Sequence, residues 1–157
     1  MPAAPVLTEE RYVAADGTVL PVTVWPADRS PPRAIILGLH GFGDYRDAFE
    51  EPAAIWAAAG YTTYAYDQRG FGASPTRGRW PGTDTLVDDA LAMSLLLHQR
   101  HPGVPVYIAG ESMGGAVAMA MSVGSGAGTT VPSLDAVSPS EAAGISARSV
   151  PGGSCTR

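Results

Sequence analysis

The stretch Gly110-Glu111-Ser112-Met113-Gly114 lies between the apolar run "VPVYIAG" and the Ala-rich run "GGAVAMAM". This G-x-S-x-G spacing suits a serine hydroxyl presented on a sharp turn from a buried strand into a helix, where it can attack a carbonyl carbon. A nucleophile on so tight a turn has strained backbone angles. Side chains at Gly110 and Gly114 would collide with each other or with the neighbouring strand. Ser112 would then point out of the C-terminal edge of a sheet, with the free N–H groups and the dipole of the following helix beside it. Acyl transfer also needs two backbone N–H groups aimed at the developing oxyanion. Met113, the residue after the serine, would supply one. The other would come from His40-Gly41-Phe42-Gly43, at the end of an earlier apolar run, with Phe42 the natural donor.

The elements that must hold these residues are legible from their periods. Val19 to Trp25 alternates apolar residues and follows the turn signal Asp16-Gly17, which predicts a β-hairpin. Ala34 to Leu39 is almost continuously apolar, as in a strand buried on both faces, and so predicts helices above and below it. "AFEEPAAIWAAAG" reads as a helix of about three turns with Pro52 in its first turn and Gly60 as its stop. Tyr61 to Asp67 reads as a second central strand, and a Gly- and Pro-rich loop follows it. From Thr83 to Arg100, Leu86, Ala90, Met93 and Leu97 recur on one helical face, and His101-Pro102-Gly103 ends that helix. "VPVYIAG" is a third short strand, and "SMGGAVAMAM" opens a third helix. Alternation of this kind with short connections is the pattern of an α/β fold, a mostly parallel sheet with right-handed crossovers on both faces and here an N-terminal hairpin.

Length and composition narrow the function classes. The 157 residues make one domain, 45% hydrophobic, with a formal net charge of -5 and scattered basic residues, which argues against a nucleic-acid or anionic-membrane partner. The single cysteine, Cys155, has no intrachain partner for a disulfide or a thiolate metal site, and no metal or cofactor is expected. No apolar run approaches the roughly 18 residues of a transmembrane span. "MPAAPVLTEERYV" has neither the basic nor the apolar part of a signal peptide, so a cytoplasmic location is expected. Residues 122–157 contain no aromatic residue and show no sustained period, which predicts an irregular, disordered tail.

"LHGFGDY", "YAYDQRGFGAS" and "IAGESMGGAVA", in that order, resemble the α/β-hydrolase superfamily. Within it they are most similar to the branch that holds monoacylglycerol lipases, lysophospholipases and hydrolases of the serine aminopeptidase S33 type. The resemblance runs from Leu7 to Met121, about three quarters of the chain. It implies a partial α/β-hydrolase domain over residues 1–121, the N-terminal half of that fold, with the family's continuation missing after the nucleophile helix. It also implies a serine ester hydrolase acting on small-molecule or lipid esters. Ser112 would be the nucleophile and Phe42 and Met113 the oxyanion donors, while His40 and Gly41 shape the hole without serving as general base.

In this family the triad acid and histidine come after the serine. No histidine follows Ser112, and the later acids Asp135 and Glu141 fall in the irregular tail, so neither triad partner is expected in this chain. Other polar residues have simpler readings. His40 would be hydrogen-bonded to backbone at a strand end, Asp67 and Arg69 would stabilise a loop, and Glu111 would be a hydrogen-bonding neighbour of the serine. His98 and His101 would lie in solvent at the opposite edge of the sheet. The strand "VPVYIAG" would sit close to an open sheet edge, which predicts self-association. A non-catalytic binding module and a fragment without independent function are the alternatives to an active hydrolase.

Overall fold

The computed structural model describes residues 3–124. The strands are β1 (Val6–Leu7), β2 (Arg11–Val13), β3 (Val19–Trp25), β4 (Ala34–Leu39), β5 (Tyr61–Tyr66) and β6 (Val106–Gly110). The helices are α1 (Glu50–Ala58), α2 (Thr83–Arg100) and α3 (Met113–Gly124), with a 3₁₀ turn over Arg46–Phe49 leading into α1. The remainder of the sequence-predicted tail, residues 125–157, lies outside the described residues.

The strands form one sheet in the order β1-β2-β3-β5-β4-β6. β4 runs parallel to both β5 and β6, and β3 joins β5 antiparallel. The hairpin of β2 and β3 closes through Gly17 at φ +85°, with the Thr18 N–H donating to Asp16 Oδ1 at 2.9 Å. The short strand β1 extends this side of the sheet without a signal of its own in the sequence.

All six residues of β4 are buried because β4 is central and covered on both faces. Ile35, Leu37 and Leu39 pack with Leu86, Ala90, Met93 and Leu97 of α2, and with Val117 and Met121 of α3. The alternate residues meet the layer of α1, where a Cβ at Gly38 would come within 2.8 Å of the Phe49 ring. Ala53 and Ala57 are the buried residues of α1. Gly60, at φ +96°, ends that helix and donates its N–H to the Ala57 carbonyl. From β4 the chain crosses by α1 to β5 on one side. From β5 it crosses by α2 to β6 on the other, so the C-terminal ends of the parallel strands open at one edge of the sheet.

Candidate active site

Ser112 occupies the step from β6 into α3 at φ +49°, the one non-glycine residue with positive φ among the described residues. L-residues reach this region at a cost of roughly 1–2 kcal/mol, and the surroundings hold Ser112 there. Glu111 donates its N–H to the Leu39 carbonyl at 3.0 Å, Gly114 donates to the Glu111 carbonyl at 2.8 Å, and Ala116 donates to the Ser112 carbonyl at 3.1 Å. The two flanking glycines are sterically required. A Cβ at Gly110 would lie 2.5 Å from the Gly114 carbonyl carbon, and one at Gly114 would fall on the Leu39 carbonyl oxygen of the neighbouring strand. The serine side chain is exposed.

The loop after β4 closes against this turn. The Cβ position of Gly41 lies 3.6 Å from the Ser112 Cβ and 3.6 Å from the Glu111 carbonyl oxygen. Met113 is the first residue of α3, and helix geometry leaves its N–H without an intrahelical acceptor. Among the described residues neither Met113 nor Phe42 donates its main-chain N–H to another protein group.

His40 is fully buried, and both ring nitrogens are engaged. The Gln68 main-chain N–H can only donate, so Nε2 of His40 accepts from it at 3.0 Å. The ring proton therefore sits on Nδ1 and is donated to the Gly41 carbonyl at 2.8 Å. Burial pushes the imidazole below its ordinary pKa, against the opposing pull of the Gly41 bond and of Asp67, Asp44 and Glu111. In a trans peptide the C=O and the following N–H point in opposite directions. By holding the Gly41 carbonyl, which also accepts from the Asp44 N–H at 3.2 Å, His40 therefore sets the direction of the Phe42 N–H. Gln68 completes the brace by donating Nε2–H to the His40 carbonyl at 2.8 Å. Gln68 lies within "YAYDQRGFGAS", but the sequence assigns it no role of its own, because its partner lies 28 positions earlier in the chain.

Asp67 is buried and ties two loops together. It accepts from the Arg46 main-chain N–H at 2.9 Å, the Arg46 guanidinium at 2.6 Å and the Ala73 N–H at 2.7 Å. Arg69 is clamped between Asp89 of α2 and Asp16 of the hairpin turn, with two bonds to each carboxylate, and also donates to Thr18. Both residues act on loops and stand apart from the serine. Glu111 departs from expectation: its side chain is exposed and makes no hydrogen bond among the described residues, so only its main chain supports the turn. His98 and His101 also depart from it. Both are half-buried, because the end of α2 packs back on the sheet, and His101 Nε2 lies 2.9 Å from the Tyr64 hydroxyl. They sit where α2 leads into β6, a strand's length from Ser112. Among the described residues no group of three His, Cys, Asp or Glu gathers in metal-binding geometry, and no helix is long and apolar enough to cross a membrane.

The family model for "Serine aminopeptidase, S33" matches residues 30–129. The monoacylglycerol lipase of Mycolicibacterium smegmatis is 28% identical over 114 residues, covering 72% of this chain and 40% of that protein. Human monoglyceride lipase is 33% identical over 109 residues, covering 68% of this chain and 35% of that protein. The fold superposes on a thermostable carboxyl esterase from Bacillus coagulans with a TM-score of 0.65 at 22% identity, over 75% of this chain and 40% of the esterase. It also superposes on the monoglyceride lipase of Saccharomyces cerevisiae with a TM-score of 0.55 at 23% identity, over 74% of this chain and 38% of that one. The chain thus spans well under half the length of these relatives. The family match takes in both the His40–Gly43 loop and the Gly110–Gly114 turn, and the chain belongs to the serine aminopeptidase S33 family of α/β-hydrolases.

Proposed function

We propose that this chain carries the nucleophile and the oxyanion-binding half of a serine ester hydrolase, with monoacylglycerol or lysophospholipid esters as substrates. The observation that carries the reading is Ser112 held at positive φ on the turn before α3, with the loop after β4 so close that a Cβ at Gly41 would lie 3.6 Å from the Ser112 Cβ. In this reading Ser112 Oγ attacks the ester carbonyl carbon. The charge that develops on the carbonyl oxygen is met by the N–H groups of Phe42 and Met113. Collapse of the tetrahedral intermediate expels the alcohol, and water then hydrolyses the acyl-serine. The lipase names of the relatives from Mycolicibacterium smegmatis and human support a lipid ester as substrate.

Among the described residues no group is placed to remove the serine proton. His40 has no free lone pair, His98 and His101 lie elsewhere, and no described carboxylate is hydrogen-bonded to a histidine ring near Ser112. That observation favours a second reading, in which the chain binds and orients an ester without turning it over. Incubating the purified chain with a fluorophosphonate probe separates the two. Slow labelling that disappears in Ser112→Ala, with ester hydrolysis on the order of 10³-fold over water, fits a nucleophile assisted by the oxyanion hole alone. Fast, stoichiometric labelling would show that a base is present after all. A ligand-induced thermal shift without hydrolysis would favour the binding module, and the absence of a cooperative melt would mark a fragment without independent function.

A further inference from the structure

An apolar side chain that stays open to solvent beside a candidate nucleophile calls for an occupant. Phe42 is 73% exposed and Trp80 is 57% exposed. The Phe42 ring packs edge-on against Phe71 with centroids 5.2 Å apart and lies 6.4 Å from the indole of Trp80. Phe71 in turn stands edge-on to the buried His40 ring at 5.7 Å. The cluster is held in place by the loop after β5, which closes on itself. Gly78 donates its N–H to the Gly70 carbonyl at 2.9 Å, and Gly70, at φ +88°, leaves room for the Arg79 carbonyl where a Cβ would otherwise sit. Trp80 is thereby delivered to the side of Phe42 although 38 positions (80 − 42) separate them.

We propose that Phe42, Phe71 and Trp80 form an aromatic ledge that takes the apolar acyl chain of the ester whose carbonyl is presented to Ser112. The inference rests on the hydrolase reading and goes beyond it by assigning the subsite. The residue whose N–H would meet the carbonyl oxygen also carries its exposed ring into this cluster, so the cluster adjoins the position of the carbonyl in that reading. A short acyl group leaves the ledge bare. Each further methylene laid on the rings removes apolar surface from water on both partners.

Saturated fatty acids, the acyl products of such a reaction, test the ledge on the full chain without requiring turnover. Isothermal titration with butyrate, octanoate and dodecanoate below their micellar concentrations should show affinity rising with length, by up to about fourfold per methylene. Dodecanoate should also shift the tryptophan emission to shorter wavelength. Trp80→Ala should weaken dodecanoate by about tenfold and leave butyrate unchanged, while Trp80→Phe should restore most of the loss. A length series that is flat, or one that survives Trp80→Ala in a chain with an unchanged melt, overturns the ledge. Fluorophosphonate labelling reports on the hydrolase reading separately. A labelled Ser112 with a flat series removes the ledge alone, and an unlabelled Ser112 with an intact series removes the nucleophile alone.

Discussion

At the scale of single residues, backbone geometry decides which positions tolerate change. The Cβ of Gly114→Ala would land on the Leu39 carbonyl oxygen, and main chain on both sides leaves little to yield. The substitution should cost about 3 kcal/mol or more and appear as a marked fall in melting temperature. Gly115→Ala is the control on the same helix. Its nearest neighbour, the Gly110 carbonyl oxygen, lies at 3.3 Å, and the gain in helix propensity offsets a slight crowding, so its stability should stay within about 1 kcal/mol of the parent. His40 makes a second prediction. Burial holds its folded pKa below the ordinary 6.5, so between those two values the unfolded chain binds a proton that the folded chain resists. The stabilisation is complete above about pH 6.5 and declines as pH falls toward the depressed folded value. His101 is shifted in the same direction by burial and then by Arg100. The melting temperature should therefore drop as pH falls from about 7.5 to about 5.5, with a shallower slope in His40→Phe, a variant less stable at both ends because the Gln68 N–H loses its acceptor and the Gly41 carbonyl loses one of its two donors. These two sites differ in how far the sequence revealed them. The glycine requirement at 110 comes from Gly114 and Gly115, close in the chain, while the one at 114 comes from Leu39 on β4, and the occupation of both His40 nitrogens depends on Gln68, 28 positions away.

At the scale of elements, Arg69 is where hairpin, loop and helix meet. It joins Asp16 and Thr18 at the turn between β2 and β3 to Asp89 on α2, with only 9% of its side chain exposed. Asp16 is held well below the usual carboxylate range, first by its hydrogen bond to Arg69. Its contribution is therefore present above the ordinary value of 3.8 and is lost only in stronger acid. Asp89 is buried, and removing its partner strands a carboxylate. Arg69→Met should cost about 3–5 kcal/mol, read from the urea midpoint at unchanged slope, and Arg69→Met with Asp89→Leu should recover much of that loss. Arg69→Lys should not substitute, since an ammonium cannot make two forked pairs at once. The elements themselves were readable in advance. β4 spans Ala34–Leu39 and α2 spans Thr83–Arg100, as the continuous apolar run and the helical recurrence of Leu86, Ala90, Met93 and Leu97 imply. The strand order was not, because β3 lies beside β5 and β4 beside β6 through contacts that leave no period in the sequence.

At the scale of the whole molecule, the described sheet ends on β6, which pairs with β4 on one side only. Met119 and Val123 of α3, the helix that follows β6, stand 66% and 81% exposed. A strand edge unpaired among the described residues, together with exposed apolar side chains, favours association. Sedimentation of the purified chain should show a mass that rises with concentration, and Met119→Glu with Val123→Glu should shift it toward the monomer. A monomer at all concentrations would refute this. Taken alone, the sequence determined the α/β class, the turn that carries Ser112 and the family, because each is written in residue types, motifs and periods along the chain, whereas the clash that demands glycine at 114 arises only where the turn meets Leu39 of β4. Only the tertiary structure decided that His40 is a neutral brace with no lone pair to offer the serine, that His101 is bonded to Tyr64, and that Phe42, Phe71 and Trp80 gather into one exposed ledge. Steric rules and periodicities act between near neighbours in the chain. The use of a lone pair or an open ring face depends on residues that come together only when distant segments pack.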